Sequence, residues 1–305
     1  SSMTATACLI INPASGRGRA RDAIPSLREV FGRRGVTEFF VTASPGDEET
    51  LAVRALAEGM RTIVVVGGDG TCSRVATVIL RGGSECRLAV VPTGTGNDFA
   101  KTLGVDRHTS VEIADLVVRG HETRIDVGSA SGNYFVNSCG FGFDASVLEA
   151  SNRVRFLQGN AVYIYSALRQ LFTYRGVDVS ATGAGSVKRG IMLMVTASIG
   201  KWLGGAFNIA PHASAVDGKL DVCFLSDSSV VERVRLFAGA LRGTHLGMPS
   251  VTSVSVEQLA LSFAANPLME IDGELRIAAA KEVELRCLPG ALRVVAAPGA
   301  AGLQG

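Results

Sequence analysis

No apolar run in this chain approaches the roughly 20 residues needed to span a bilayer. The N-terminus also lacks the basic and apolar stretches of a signal peptide, so any membrane contact is expected to be peripheral. The six cysteines (Cys8, Cys72, Cys86, Cys139, Cys223, Cys287) stand far apart, with no Cys-x-x-Cys pair and no zinc-type spacing. They read as reduced, mostly buried thiols of a cytosolic protein rather than as a disulfide framework. The formal net charge is only +2, which gives no electrostatic case for nucleic acid, whose binding draws on clustered Lys and Arg. Aromatics make up 6% of the chain and charged residues 19%, against 47% apolar. That balance describes a globular α/β composition rather than a fibrous or low-complexity one. Ser1-Ser2-Met3 is set aside as an expression remnant.

What is present in excess is glycine, 36 of 305 residues. The length exceeds what one hydrophobic core usually supports, so two domains are expected. Up to about residue 124 the chain alternates short β-rich runs with amphipathic stretches: Cys8–Ile11, a helix near Ala20–Arg33, Glu38–Thr42, a helix near Asp47–Ala57, Thr62–Val66, a helix from about Thr71 to Leu80, then Leu88–Val91 and helices near Asp98–Leu103 and Val111–Val118. Strands alternating with helices imply a parallel sheet covered on both faces, with the continuously apolar Ile63–Val66 in a central place. After Arg124 the pattern turns to longer β segments (Tyr134–Cys139 and Gly190–Ala197 among them), interrupted by helices near Asn160–Phe172 and Val230–Leu241. Many strands with few crossovers argue for an antiparallel second domain. The expected division is 4–125 and 126–288.

Three loops carry the chemistry, each following an apolar strand and leading into a helix. Gly67-Gly68-Asp69-Gly70-Thr71 is the sharpest. Glycines at the carboxyl end of a parallel strand let backbone amides approach phosphate oxygens, and the next helix N-terminus adds partial positive charge. An acid inside such a loop repels phosphate unless a cation intervenes, so Asp69 points to Mg²⁺ held directly or through water; a plain strand-to-helix turn is the competing reading. Pro92-Thr93-Gly94-Thr95-Gly96-Asn97-Asp98-Phe99-Ala100 is the second loop. There Thr95 suits a phosphate, while Asn97 and Asp98 suit either Mg²⁺ waters or a helix cap. Asn12-Pro13-Ala14-Ser15-Gly16-Arg17-Gly18 is the third, and none of the three is a Walker A loop or a dinucleotide fingerprint. Near the C-terminus, Asp272 and Glu274 stand two apart, so an extended segment would turn both carboxylates to one side; an Asp-Gly turn is the alternative. Asp217-Gly218-Lys219-Leu220-Asp221 reads by composition as a hairpin turn.

In this order and spacing the three loops resemble the diacylglycerol-kinase catalytic family, which includes soluble bacterial lipid kinases and sphingosine kinases. The likeness continues through Asp126, Asn137–Asp144, Gly204–Pro211 and Asp217–Asp221 to Ile271-Asp272-Gly273-Glu274, nearly the whole chain. It implies a phosphofructokinase-like three-layer α/β nucleotide-binding domain and a C-terminal antiparallel β-sandwich, with a strand near 290–297 returning to the first domain and the nucleotide in the cleft between the two. It places ATP contacts on Asn12, Pro13, Ala14, Ser15, Gly16, Thr42, Gly67, Gly68, Asp69, Gly70, Thr71, Cys72, Ser73 and Thr95. Asp69, Asp98 and Asp126 form an acidic network around Mg²⁺. Asp272 is the base toward a lipid hydroxyl, Glu274 lies near nucleotide and metal, and Ser214, Asp217 and Lys219 form a second, structural Mg²⁺ site. Cys72-Ser73 departs from the family's apolar-then-Asn pattern. The implied protein is a cytoplasmic, peripherally membrane-associated ATP-dependent kinase of diacylglycerol or a related lipid, with a homodimer left open as a partner. An NAD kinase shares Gly-Gly-Asp-Gly-Thr but not the Gly-Asn-Asp-Phe-Ala loop or the late Asp-Gly-Glu. A non-catalytic nucleotide sensor has no need of Asp69, Asp272 and Glu274 together.

Overall fold

The computed structural model describes residues 6–153, 160–183 and 188–304. The chain forms two compact units. The first holds residues up to Val127, Ser214–Asp217 and the chain from Pro289 on; the second holds Gly128–Ala213 and Gly218–Leu288. Both strand junctions fall inside strands, in β5 (Thr123–Ala130) and β15 (Glu282–Val294).

In the first unit, β1 (Ala7–Ile11), β2 (Glu38–Val41), β3 (Thr62–Gly67) and β4 (Arg87–Pro92) form a parallel sheet in the order β4-β3-β1-β2. Strand β3 sits between two neighbours and is buried along its length, as its unbroken apolar run predicts. The end of β15 joins this sheet beside β4, Val294 against Leu88. The connecting helices are α1 (Arg19–Gly32), α2 (Asp47–Ala57), α3 (Asp69–Arg81), α4 (Asp98–Thr102) and α5 (Ser110–Arg119). Local chemistry sets their starts. Acidic Asp47, Glu48 and Glu49 crowd the first turn of α2, where the helix dipole favours negative charge. Thr109 and Glu112 close a reciprocal capping box on α5.

The second unit is antiparallel. Its strands are β6 (Asn133–Phe135), β7 (Ser138–Gly142), β8 (Val177–Thr182), β9 (Lys188–Ser198), β10 (Leu220–Ser226), β11 (Val251–Val256), β12 (Gln258–Phe263), β13 (Leu268–Ile271) and β14 (Glu274–Ile277). They pair in the order β14-β13-β7-β9-β8-β12-β15, with β10 and β11 continuing from the other edge of β9. Helices α6 (Phe143–Arg153), α7 (Asn160–Thr173) and α8 (Val230–Ala240) complete the unit. Leu171 and Tyr174 at the end of α7 and Leu236, Phe237 and Ala240 of α8 pack on one core with Phe143, Leu193 and Leu225. Phe143 meets the Tyr174 ring edge-on at 6.1 Å and the Phe237 ring at 4.9 Å.

Several expectations change. The single strand expected at Tyr134–Cys139 is two strands, β6 and β7, broken at Val136-Asn137, whose amides donate to a side chain instead of to a neighbouring strand. Helix α6, from Phe143 to Arg153, is an element that the sequence reading does not assign. Asp217-Gly218 is not the turn of a hairpin. The preceding strand, β9, ends at Ser198, and Asp217-Gly218 is a bend, with Gly218 at φ 74°, at the end of an irregular segment entering β10.

Candidate active site

The loops after β1, β3 and β4 meet at the carboxyl ends of their strands, because those strands are neighbours in the sheet. Asn12 ties the first two: its Nδ2 donates to Thr71 Oγ1 at 3.3 Å, while its own Oδ1 accepts from Ala14 N. Thr93 ties the others, donating through its backbone N to Gly67 O and through Oγ1 to Ser15 Oγ at 2.9 Å. The contact is close enough to require glycine. A Cβ on Gly94 would lie 2.7 Å from Gly68 Cα, and one on Gly16 would lie 1.9 Å from Thr93 O. Gly16, Arg17 and Gly18 all take positive φ, so the first loop turns in left-handed steps. Arg19 Nη2 donates to Gly94 O and anchors that turn.

Asp69 is the first residue of α3, yet its carboxylate serves another helix. Oδ2 accepts from Asp98 N at 3.0 Å and Oδ1 from Phe99 N at 2.8 Å. It therefore caps the N-terminus of α4 from outside, a role the sequence reading gives to Asn97 or Asp98. Asn97, the local cap position, has φ 53° and makes no side-chain cap bond; its Nδ2 donates to Gly94 O. Asp98 is buried and faces Lys101 Nζ at 3.2 Å. The cap explanation for Asn97 and Asp98 is thus replaced by Asp69, whose two oxygens reach the paired amides that a helix start leaves open.

The other first-unit candidates are placed as follows. Pro13, Ala14 and Thr95 lie on the outer, exposed or half-buried parts of the loops; Gly70 is half-buried in the first turn of α3, and Cys72 and Ser73 continue that helix, with Cys72 buried. Thr42 is buried just past β2, its N donating to Ile11 O. Asp126 is buried on β5 and accepts from Gly290 N at 2.8 Å, while its own N donates to Ala215 O. Ser214 is buried and Asp217 exposed, both in the first unit; Lys219 is exposed in the second. Among the described residues no three His, Cys, Asp or Glu side chains converge as a preformed metal cage. A hollow of about 420 Å³ lined by Leu56, Met60, Arg61, Glu85, Arg87 and Arg293 opens by the start of β4, at the amino ends of the strands. Ligands of open parallel sheets sit at the opposite ends, where the three loops are.

In the second unit Asp272 occupies a two-residue turn. Ile271 pairs with Glu274, leaving Asp272 and Gly273 between strands β13 and β14 with φ 48° and 89°, the positive pair that a type I′ turn requires. The two carboxylates therefore do not share one side of an extended segment; the hairpin register puts Glu274 beside Ile271. Arg276 Nη2 lies 3.5 Å from Glu274. Asp272 is buried, and its carboxylate accepts three backbone amides, Val136 N at 2.8 Å, Asn137 N at 2.9 Å and Ser138 N at 3.0 Å. Its own N donates to Ser138 O. The left-handed conformation, which costs an Asp about 1 kcal/mol or more, is held by these bonds. Trp202, half-buried, offers its carbonyl to Asn137 Nδ2.

Two further carboxylates lie beside this turn. Glu270 is buried on β13, and its Oε1 accepts from Gly273 N. Asp144 is buried at the start of α6 and its carboxyl is pushed up to about 7 by burial. Cys139 is raised by burial first and then by Glu270, Asp144 and Asp272. Sequence reasoning gives neither Asp144 nor Glu270 a role. The available signal is Gly140, one of two glycines in the five-residue strand β7, since a glycine within a strand marks a close approach.

Two family comparisons cover this architecture. Residues 6–130 match the diacylglycerol kinase catalytic domain, and residues 137–296 match the YegS C-terminal NAD kinase beta sandwich-like domain. The diacylglycerol kinase of Bacillus subtilis (strain 168) is 27% identical over 268 residues, 87% of this chain and 88% of that protein. The diacylglycerol kinase of Staphylococcus carnosus (strain TM300) is 26% identical over 274 residues, 89% of each. The crystal structure of a diacylglycerol kinase from Bacillus anthracis str. Sterne shares the fold, with a TM-score of 0.74 at 20% identity over 97% of this chain and 98% of that one. With three interlocked glycine loops on a parallel sheet, a buried Asp-Gly turn in an antiparallel unit, and both domains of the family present in order, the chain belongs to the diacylglycerol kinase catalytic family.

Proposed function

We propose that this chain, an ATP-dependent lipid kinase by family, transfers the γ-phosphoryl group to the hydroxyl of diacylglycerol or a close relative. The observation that carries the reading is the meeting of Gly68 and Gly94 backbones between two strand-to-helix loops. It brings two sets of unhindered amides and the start of α3 to one place, the arrangement a triphosphate needs. Phosphoryl transfer asks mainly for positioning and charge neutralisation. In this reading the loop amides from Gly67 to Ser73 and around Thr95 hold the phosphates, with Asn12, Ser15 and Thr42 bordering them.

Mg²⁺ would be held by Asp69 together with Asp98 and Asp126, it would neutralise phosphate charge, and Glu274 is proposed as a nucleotide contact. Carboxylate oxygens and phosphate are the donors this ion takes, with few protein ligands. Asp69 stands at the start of α3 directly after the Gly67-Gly68 loop, so a carboxylate of the kind this ion takes lies where the phosphates are proposed to sit, and the residues fit. Ser214, Asp217 and Lys219 are proposed as the second, structural site.

Asp272 orients the acceptor hydroxyl and takes its proton. Three amide donors suit an ionised carboxylate, and they also spread its charge, so it is a well-placed rather than a strong base. A loose transition state, in which the proton leaves late, asks for no more. The acceptor is met at a lipid surface. Support comes from α7 and α8, whose inner sides share one core while Tyr165, Leu168 and Phe172 on α7 and Val231, Val234 and Leu241 along α8 face solvent, Leu168 at 56% and Phe172 at 68% exposure. Exposed Arg169, Arg175, Arg235 and Arg242 accompany them against one acid on the two helices, Glu232, a composition that suits an anionic interface.

The test is labelled ATP with the purified chain against a lipid panel in micelles and against NAD. Labelling of diacylglycerol well above NAD is expected; equal rates on the two would overturn the lipid reading.

A further inference from the structure

The buried carboxyl of Asp144 takes no part in the scheme above, although it lies one side chain away from the Asp272 turn. Its location follows from the sheet. A Cβ on Gly140 would fall 1.6 Å from Asp144 Oδ2, so the Asp144 carboxyl fills the space where a Gly140 side chain would stand. Gly140 is registered opposite Glu270 on β13 and opposite Thr196 on β9. Directly opposed residues of an antiparallel pair share a face with Cβ atoms about 5 Å apart. Asp144 is thus seated between Glu270 and Thr196, and all three are buried. Among the described residues, Asp144 Oδ2 has no hydrogen-bond donor. Two ionised carboxylates in such a slot repel without compensation, whereas one proton between them satisfies both.

We propose that Asp144 is a positioning residue for phosphoryl transfer: it shares a proton with Glu270, which keeps Glu270 on Gly273 N and so holds the left-handed turn that presents Asp272. The chain of contact is short, from Asp144 to Glu270, from Glu270 Oε1 to Gly273 N, and from Gly273 to its neighbour Asp272. Loss of the shared proton places like charges side by side, drives Glu270 off the turn and misaligns Asp272. Among the described residues, the other titratable groups on the elements packed against α6 are Cys139 on β7, which Asp272 also influences, Tyr165 and Arg169 on α7 with Tyr174 after it, Lys188 and Arg189 on β9, and Glu274 and Arg276 on β14. Burial raises Tyr174 to about 12, so it stays neutral, and burial does the same for Cys139. Asp144, raised to about 7 by burial, is the member of the pair whose proton is lost near neutrality.

The inference rests on the assignment of Asp272 to the transfer step, and the variants separate the two. Turnover of micellar diacylglycerol is measured from about pH 5.5 to 9, with Asp144→Asn, Asp144→Val and Asp272→Asn beside the unmodified chain. Asparagine is neutral at every pH and donates to Glu270, so Asp144→Asn should keep kcat within about threefold below neutrality. It should also lose less than half of it at the alkaline end, where the unmodified chain falls about tenfold. Valine supplies no proton, so Asp144→Val should lower kcat about tenfold at all pH values with KM for ATP and lipid unchanged. An alkaline limb in Asp144→Asn identical to that of the unmodified chain overturns the proposal, as does a raised lipid KM with kcat intact, which would make Asp144 an acceptor contact. Should Asp272→Asn keep more than about half of its turnover, the base assignment fails. The pH dependence of thermal stability in Asp144→Asn then still reports whether the pair shares a proton, and an unchanged dependence sinks the pair as well.

Discussion

Asp272 and Asp69 are both carboxylates whose oxygens accept backbone amides, and this shapes what their amide variants do. In Asp272→Asn the side chain must turn an N–H₂ toward either Val136 N or the pair Asn137 N and Ser138 N, donor against donor. The variant loses the proton acceptor, and turnover should drop about 10²–10⁴-fold, toward the low end if bonding to phosphorus is loose. ATP affinity, measured by titration calorimetry, should stay nearly unchanged. Asp69→Asn likewise forfeits one of the two α4 cap bonds, a local loss of about 1 kcal/mol, together with the charge. Its turnover should need more Mg²⁺ than the unmodified chain, read from magnesium titrations at fixed ATP; an identical magnesium curve would refute the role given to Asp69. Asp144 sets a pH dependence of stability whose sign is fixed by its raised value. Between the ordinary 3.8 and about 7 the folded chain binds a proton that the unfolded chain has released. Stability from this group is therefore full at low pH and lost as pH rises through about 7. Asp144→Asn should remove that slope, so its thermal midpoint should gain on the unmodified chain as pH climbs through this window.

At the scale of elements, the glycine loops work as a unit of three, since each is braced by a neighbour. Gly94→Ala puts a methyl 2.7 Å from Gly68 Cα, and because the obstacle is backbone, a loop must move. The expected outcome is a rise of tenfold or so in KM for ATP, matching the 1–3 kcal/mol typical of overpacking, with secondary structure unchanged by circular dichroism. These loops were legible in the sequence because strand, glycine run and helix lie within a few adjacent residues, and because β1, β3 and β4 alternate with helices in the way that puts their ends together. The helices α1 to α5, α7 and α8 were legible for the same local reason. What stayed hidden depends on pairs distant in the chain. Helix α6 begins with Phe143-Asp144, and the reason Asp144 is buried lies in Gly140 and Glu270, 130 positions apart. The break at Val136-Asn137 has its cause in Asp272. The Asp272-Gly273 turn was readable as composition, yet the four-residue strands β13 and β14 beside it carry too little periodicity to place Glu274.

For the whole molecule, the solvent-facing side chains of α7 and α8 imply interfacial behaviour. Leu168→Glu with Phe172→Glu should weaken sedimentation with anionic vesicles and raise the KM for vesicle lipid. Turnover of a dispersed short-chain acceptor should stay within about twofold, because each exposed apolar residue given up costs only the 1.5–3 kcal/mol of its burial in lipid. Equal vesicle binding by both chains would place the interface elsewhere. The six cysteines, spread over both units, have a different consequence. All six are buried, and burial raises Cys8, Cys86 and Cys223 to about 12 and Cys139 well above its ordinary value. A thiol so placed is inert to an alkylating reagent until its surroundings open. Cys8, Cys72 and Cys86 lie in the first unit, and Cys139, Cys223 and Cys287 in the second. The chain thus carries its own stopwatches, one set in each unit: labelling rate at each cysteine, followed by peptide mass, times the opening of each unit separately and shows which one ATP slows.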